Sequence, residues 1–135
     1  FRSPWEVADS LLRRGDDTFA THPLLAARVW LHYNRKIVDF HVRHPSRCLL
    51  VALERLVAAP AGVFAEIRSR LGIAVTEPPQ LYEAALLGGR ETSAREAVLD
   101  AVLPTAVELY HEMRRLAAVA LGPTAPTATR SAAAA

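Results

Sequence analysis

The sequence contains one cysteine and one methionine among its 135 residues, and Lys36 is its only lysine. Since Cys48 is the only thiol, no disulfide can form within the chain. Cys48 lies in an apolar run, which favours a buried structural thiol over a reactive one. A reducing compartment is compatible with this cysteine usage, and we expect a cytoplasmic protein.

Long apolar runs and blocks of like charge are also missing. No apolar stretch approaches the ~20 residues that cross a membrane, and no signal peptide is apparent. The 16 Lys and Arg residues are nearly balanced by 14 Asp and Glu residues, which leaves a net charge of +2. We therefore expect neither membrane association nor nucleic-acid binding.

The common catalytic and nucleotide-binding motifs do not occur, which removes P-loop, dinucleotide-binding, nucleophile-elbow and zinc-protease signatures. His41 and His44 are three residues apart and could share a helix face. A zinc site needs further ligands, and none follows at a suitable spacing. We expect no metal site.

The first ten residues carry the most specific pattern in the chain. Ser3 can be the N-cap of a helix, with Pro4 as its first residue and Glu6 completing a capping box. Arg2 precedes that helix start and Ser10 lies about two turns inside it. Free N–H groups, the helix dipole and a forked guanidinium all favour an anion such as phosphate. An ordinary surface arginine beside a capped helix is the alternative.

This segment resembles the 3′-phosphate-binding motif of sulfotransferases that use 3′-phosphoadenosine 5′-phosphosulfate (PAPS). The spacing from Arg2 to Ser10, with Pro4 and Val7 between them, matches the family's R-x-P-x-x-V-x-x-S pattern. The resemblance implies that Arg2 and Ser10 hold the 3′-phosphate of PAPS. It covers residues 1 to about 73 and is similar to bacterial members in its W-x-x-Y-N segment, which runs from Trp30 to Asn34.

The sequence departs from the family's pattern at several points. Leu53 stands where a tyrosine is common, and Arg55 where an aspartate is common. The loop that grips the 5′-phosphosulfate, and the usual catalytic base, would precede Phe1. The resemblance therefore implies the C-terminal part of a bacterial-type sulfotransferase, inactive alone, whose sheet is completed by an N-terminal half or another chain.

Helical patterns are predicted over residues 4–14, 23–44 and 60–71, and Asp16, Asp17 and Thr18 are expected to form a loop. The apolar run 47–53 reads as a strand buried on both faces, and the residues ending at Phe1 look like the end of a second strand. We expect an α/β fold: the C-terminal part of a P-loop-type three-layer parallel-sheet domain, with this segment mostly helical. Residues 1–122 would form that domain segment.

Later in the chain, Ser93 and Glu96 form a second possible capping box, and Pro104 either ends that helix or begins the next. A last helix is expected to reach Leu121. Residues 123–135 form a low-complexity tail that we expect to be disordered.

Gly88-Gly89-Arg90 is similar to the basic, glycine-containing segment that helps sulfotransferases hold the 3′-phosphate, so Arg90 is a third candidate cofactor-binding residue. An ordinary loop is the alternative, because the motif is short.

The leading hypothesis is a sulfotransferase fragment that binds PAPS. The complete enzyme would transfer a sulfuryl group to a hydroxyl or amine of a small-molecule or glycan acceptor. The alternative is a non-enzymatic helical interaction or scaffold module. A nucleotide-kinase fragment would share the α/β layout, but it explains the spacing of Arg2 and Ser10 less well.

Overall fold

The computed structural model describes residues 1–15, 17–76 and 92–121. Within these ranges the chain forms seven helices: α1 (Pro4–Arg13), α2 (Asp17–Thr21), α3 (Pro23–Arg43), α4 (Leu53–Ala58), α5 (Pro60–Leu71), α6 (Thr92–Val102) and α7 (Pro104–Leu121). Helix α3 packs against α1, α2 and α7, and α6 packs against α7.

The expected α/β fold is wrong, because the described residues contain helices but no strand or sheet. The predicted strand 47–53 is extended from residue 48 to residue 52, and Leu53 already begins α4. The Ala52 carbonyl accepts from the N–H groups of Arg55 and Leu56. These bonds begin helix α4, so this carbonyl does not pair with a neighbouring β-strand. Continuous apolarity predicted burial here, but a strand also needs a neighbour to satisfy its backbone groups.

Two hydrogen bonds join the extended segment to the first residue. The amino group of Phe1 donates to the Val51 carbonyl at 2.6 Å, and the Phe1 carbonyl accepts from the Leu53 N–H at 2.8 Å. One residue bonded to two partners that are two positions apart is the pattern of parallel strands. The pairing involves a single residue of the N-terminal segment. It therefore holds the chain immediately before Arg2 in place but does not form a sheet.

The hydrophobic core forms where α1, α3 and α7 meet. Tyr110 of α7 lies at its centre, with the rings of Phe1, Trp5 and Trp30 packed edge-on around it. Their centroids lie 5.0–6.5 Å from that of Tyr110, a favourable geometry for aromatic pairs. Further along α7, Leu109 and Met113 are fully buried. This cluster holds the start of α1 against the middle of α3.

Several predicted helix boundaries are confirmed. Helix α1 begins at Pro4 behind a Ser3–Glu6 capping box, and α5 ends at Gly72, whose φ of 64° is the left-handed conformation that glycine adopts readily. Pro104 begins a helix rather than ending one. The loop expected at residues 16–18 is wrong in part, because Asp17 starts the short helix α2. The predicted tail 123–135 lies outside the described residues.

Across the described ranges, no helix combines the length and the apolarity needed to span a membrane.

Candidate anion site at the start of helix α1

The capping box at the start of α1 is complete. Ser3 is buried, and its hydroxyl lies 2.7 Å from Glu6 Oε2, to which it donates. The Ser3 N–H donates to the same carboxylate oxygen at 3.3 Å, and the Glu6 N–H donates to Ser3 Oγ at 3.4 Å. The two residues therefore satisfy each other's polar groups, which fixes the direction in which the chain enters the helix.

This cap leaves few backbone donors for an external anion. Pro4 has no N–H, the Glu6 N–H is bonded to Ser3, and the Val7 N–H donates to the Ser3 carbonyl at 3.2 Å. Only the Trp5 N–H lacks a partner among the described residues. The Glu6 carboxylate also places a negative charge where the helix dipole favours one. The open end of α1, which we expected to bind an anion, is thus occupied by the chain itself.

Arg2 is held at this corner through its backbone. Its carbonyl accepts from Trp30 Nε1 at 3.0 Å, and the Trp30 ring is buried in the core. Its side chain is half-buried, and the guanidinium Nε has no solvent access and no hydrogen-bond partner. A buried donor without an acceptor costs free energy, so this nitrogen gains from any anion that reaches it.

Ser10 is half-buried at the end of the second turn of α1, and its hydroxyl makes no hydrogen bond to a described residue. It lies seven residues after Ser3, which is two helical turns along the same face. Its neighbour Asp9 pairs with Arg95, which ties α1 to α6. Ser10 lies six residues past Pro4, about 9 Å along the axis of α1, and Arg2 precedes that helix. An anion that touched both side chains would therefore lie beside α1 and not at its end.

Carboxylates near the corner oppose an anion. The pKa of Tyr110 is raised by burial first, then by the negative charges of Glu54 and Glu6, while Arg114 lowers it. Arg114 Nη1 donates to the Tyr110 hydroxyl at 3.4 Å. Arg2 thus faces surroundings that contain charges of both signs, and it makes no ion pair within the described ranges.

Among the other described residues singled out from the sequence, only Trp30 bonds to Arg2, through its indole N–H. Arg90 lies outside the described residues. Trp30 is a core residue, Asn34 donates to the Trp30 carbonyl at 2.8 Å, and Tyr33 is 62% exposed. His41 Nδ1 lies 3.2 Å from the Cys48 carbonyl, and burial raises the pKa of the Cys48 thiol.

A second feature was missed by the sequence reasoning. An open groove of about 580 Å³ runs along α3 where that helix meets the start of α7. The signal was in the sequence: Arg28, His32, Arg35 and Lys36 recur at the three- and four-residue spacings of one helix face. We did not predict the groove from this spacing, because we interpreted the arginines as charges dispersed over the surface. The groove is lined by Arg28, Leu31, His32, Arg35, Lys36, Asp39 and Thr105.

Comparison of the chain with protein-family models, curated proteins and solved structures finds no match. The sulfotransferase assignment therefore depends on the motif resemblance and on the residues around α1.

Proposed function

We propose that this chain binds the 3′-phosphate of PAPS through Arg2 and Ser10, as part of a sulfotransferase. The observation that supports this most is the unpartnered Arg2 Nε, a buried cationic donor at the position where the family's motif has its phosphate-binding arginine. The free hydroxyl of Ser10, at the matching serine position, is the second support.

The two residues would bind and orient the cofactor without taking part in the chemical step. The Arg2 guanidinium would donate a charge-assisted hydrogen bond, and Ser10 a neutral one, to oxygens of the same phosphate. A fixed 3′-phosphate would restrain the nucleotide so that the sulfuryl group points at the acceptor hydroxyl or amine. Sulfuryl transfer resembles phosphoryl transfer, in which positioning and charge stabilisation supply most of the rate.

Glu6 and Glu54 are negative charges that repel an anion at this site. Their charges weaken attraction for any anion, so affinity has to come from direct contacts with the phosphate rather than from a general positive field. This predicts strong discrimination between nucleotides with and without a 3′-phosphate.

Calorimetry with adenosine 3′,5′-bisphosphate and adenosine 5′-monophosphate tests the proposal. Arg2→Ala should cost the bisphosphate on the order of 2–3 kcal/mol of binding free energy, and Ser10→Ala roughly 1–2 kcal/mol. Both losses should nearly vanish for the monophosphate. Arg13→Ala is the matched control, because it removes an exposed arginine from the last turn of the same helix.

Equal losses for both nucleotides, or no loss, would show that Arg2 does not read the 3′-phosphate. A far-ultraviolet circular dichroism spectrum of each variant checks that α1 is still folded.

A second candidate function, a helical interaction module, is favoured by one observation. Val29, Tyr33, Ile37 and Phe40 form an apolar stripe on α3 that remains 37–62% exposed. Such a stripe suits packing against another amphipathic helix. If the chain self-associates through it, light scattering should give a dimer mass that Ile37→Glu reduces to a monomer mass. A monomer at all concentrations would remove this candidate.

A further inference from the structure

The groove on α3 is independent of the α1 corner in position and in composition. Its α3 residues extend from Arg28 to Asp39, eleven residues or about 16 Å along the axis. Thr105, in the first turn of α7, lies on its other side. Arg2 and Ser10 are not among the residues that line it.

Cationic side chains dominate the groove. Arg28, Arg35 and Lys36 carry full positive charges, and Asp39 is the only carboxylate in the lining. Arg35 also contacts Glu112 of α7, at 3.4 Å, so part of its charge is already compensated. Arg28 and Lys36 make no ion pair within the described ranges, and both are exposed. Two uncompensated cations thus lie about 12 Å apart along the helix axis.

A second depression adjoins the groove at its Arg28 end. It has a volume of about 390 Å³, involves the residues at the junction of α2 and α3, and shares Arg28 with the groove. Arg28 therefore lies between two concave surfaces, where a ligand can approach its guanidinium from either side. A concave surface binds small ligands better than isolated charges on a convex helix do.

We propose that this groove binds a small linear oligoanion, one that carries two or more linked or tethered phosphate or sulfate groups. Arg28 takes one group through its planar fork, and Lys36 takes another as a point charge. Arg35 contributes a further donor between them, held in place by Glu112. Leu31 supplies apolar contact for the part of the ligand that joins the charged groups.

The spacing of the cations is the reason for an oligoanion rather than a single phosphate. A single phosphate can bond to both cations only if their side chains converge from attachment points about 12 Å apart along the axis. Two groups on one linker gain from both cations, because the second contact forms at a high effective concentration. The groove volume accommodates such a ligand but is small for a folded protein domain.

Calorimetric titration with inorganic tripolyphosphate tests the inference, with orthophosphate as the single-group comparison. Tripolyphosphate should bind at least tenfold more tightly than orthophosphate. Arg28→Gln and Lys36→Gln should each weaken tripolyphosphate binding roughly 5- to 10-fold, the range for loss of one exposed charge-assisted contact. Both residues are exposed and lack ion pairs, so these variants should fold normally.

Arg47→Gln is the control for non-specific charge effects. Arg47 is exposed in the turn after α3 and does not line the groove, yet its substitution removes the same unit of charge. It should leave the affinity within a factor of two. Equal weakening by Arg47→Gln and Arg28→Gln would overturn the inference, as would equal affinities for the two phosphates.

Nuclear magnetic resonance locates the ligand. Tripolyphosphate should shift the amide signals of Leu31, Lys36 and Thr105 and leave that of Ser10 unchanged. Shifts confined to the start of α1 would assign the anion to the other site and contradict the groove. Sulfated and phosphorylated forms of one disaccharide then show which of the two anionic groups the groove prefers.

Discussion

The corner at the start of α1 and the groove on α3 both contain arginine. The arginines differ in their burial and in how their positions are held. Arg2 is half-buried, is fixed through its backbone to Trp30, and has a nitrogen without an acceptor. Arg28 and Lys36 are exposed and make no ion pair within the described ranges. A partly desolvated, pre-positioned donor gives selectivity, whereas exposed cations give attraction that salt screens.

The two regions also differ in the carboxylates around them. Glu6 is bonded into the helix cap and cannot move away from the corner without breaking that cap. Asp39, in the groove, has no side-chain ion pair within the described ranges. The carboxylate at the corner is therefore held by hydrogen bonds, whereas the carboxylate in the groove is not held by an ion pair.

The largest expected effect is on the core that supports the corner. Trp30→Ala should cost about 3–5 kcal/mol of unfolding free energy, because it leaves a cavity beside Tyr110 and removes the bond to the Arg2 carbonyl. Urea unfolding followed by circular dichroism measures it. Tyr33→Ala, on the same helix but 62% exposed, should change stability by less than about 0.5 kcal/mol. Similar losses for the two variants would show that Trp30 does not anchor the corner.

Loss of the cap should have an intermediate effect. Ser3→Ala removes the side-chain acceptor for the Glu6 N–H and should cost about 1 kcal/mol of unfolding free energy. Ser69→Ala, at an exposed position in α5, serves as the control in the same urea experiment. If Ser3→Ala were as mild as its control, the capping box would contribute nothing to the stability of α1.

Alkaline pH should weaken the aromatic core. The pKa of Tyr110 is raised above its ordinary value of 10.0, first by burial and then by Glu54. The unfolded chain therefore releases this proton at a lower pH than the folded chain does. The contribution of Tyr110 to the free energy of unfolding should be fully present below about pH 10. It should be lost as the pH rises from there through the folded pKa.

Urea unfolding at a series of pH values from 8 to 11 measures this dependence. Burial also raises the pKa of Cys48, which adds a decline of the same sign. Tyr110→Phe should remove only the tyrosine share, and Tyr33→Phe should leave the profile unchanged. A profile that Tyr110→Phe does not alter would contradict the prediction.

The smallest effect concerns the ion pair beside the groove. Arg35 and Glu112 are 48% and 37% exposed at the side chain, so Arg35→Gln should lower the unfolding free energy by no more than about 1 kcal/mol. A double-mutant cycle with Glu112→Gln isolates the pair. A coupling larger than that would contradict the weak stabilisation expected of an exposed ion pair.

The sequence predicted the helices that have local signals. Ser3, Pro4 and Glu6 predicted that α1 begins at Pro4, as it does. Gly72 predicted the end of α5 at Leu71, because the residue after the helix adopts the left-handed conformation that glycine allows. The sequence also indicated Arg2 and Ser10 as candidate phosphate-binding residues. It also predicted that Glu6 completes the capping box, but it did not decide between a self-capped helix end and an anion site, since the same pattern indicates both.

Local pattern by itself therefore determined where α1, α3 and α5 lie, because caps, glycines and prolines act on their immediate neighbours. Tertiary structure decided the rest. An apolar run such as 47–53 becomes a strand only when other strands pair with it, and among the described residues only Phe1 makes strand-like backbone bonds to it. The groove on α3 likewise depends on α7, because Thr105 lines one side of it although it lies far along the chain.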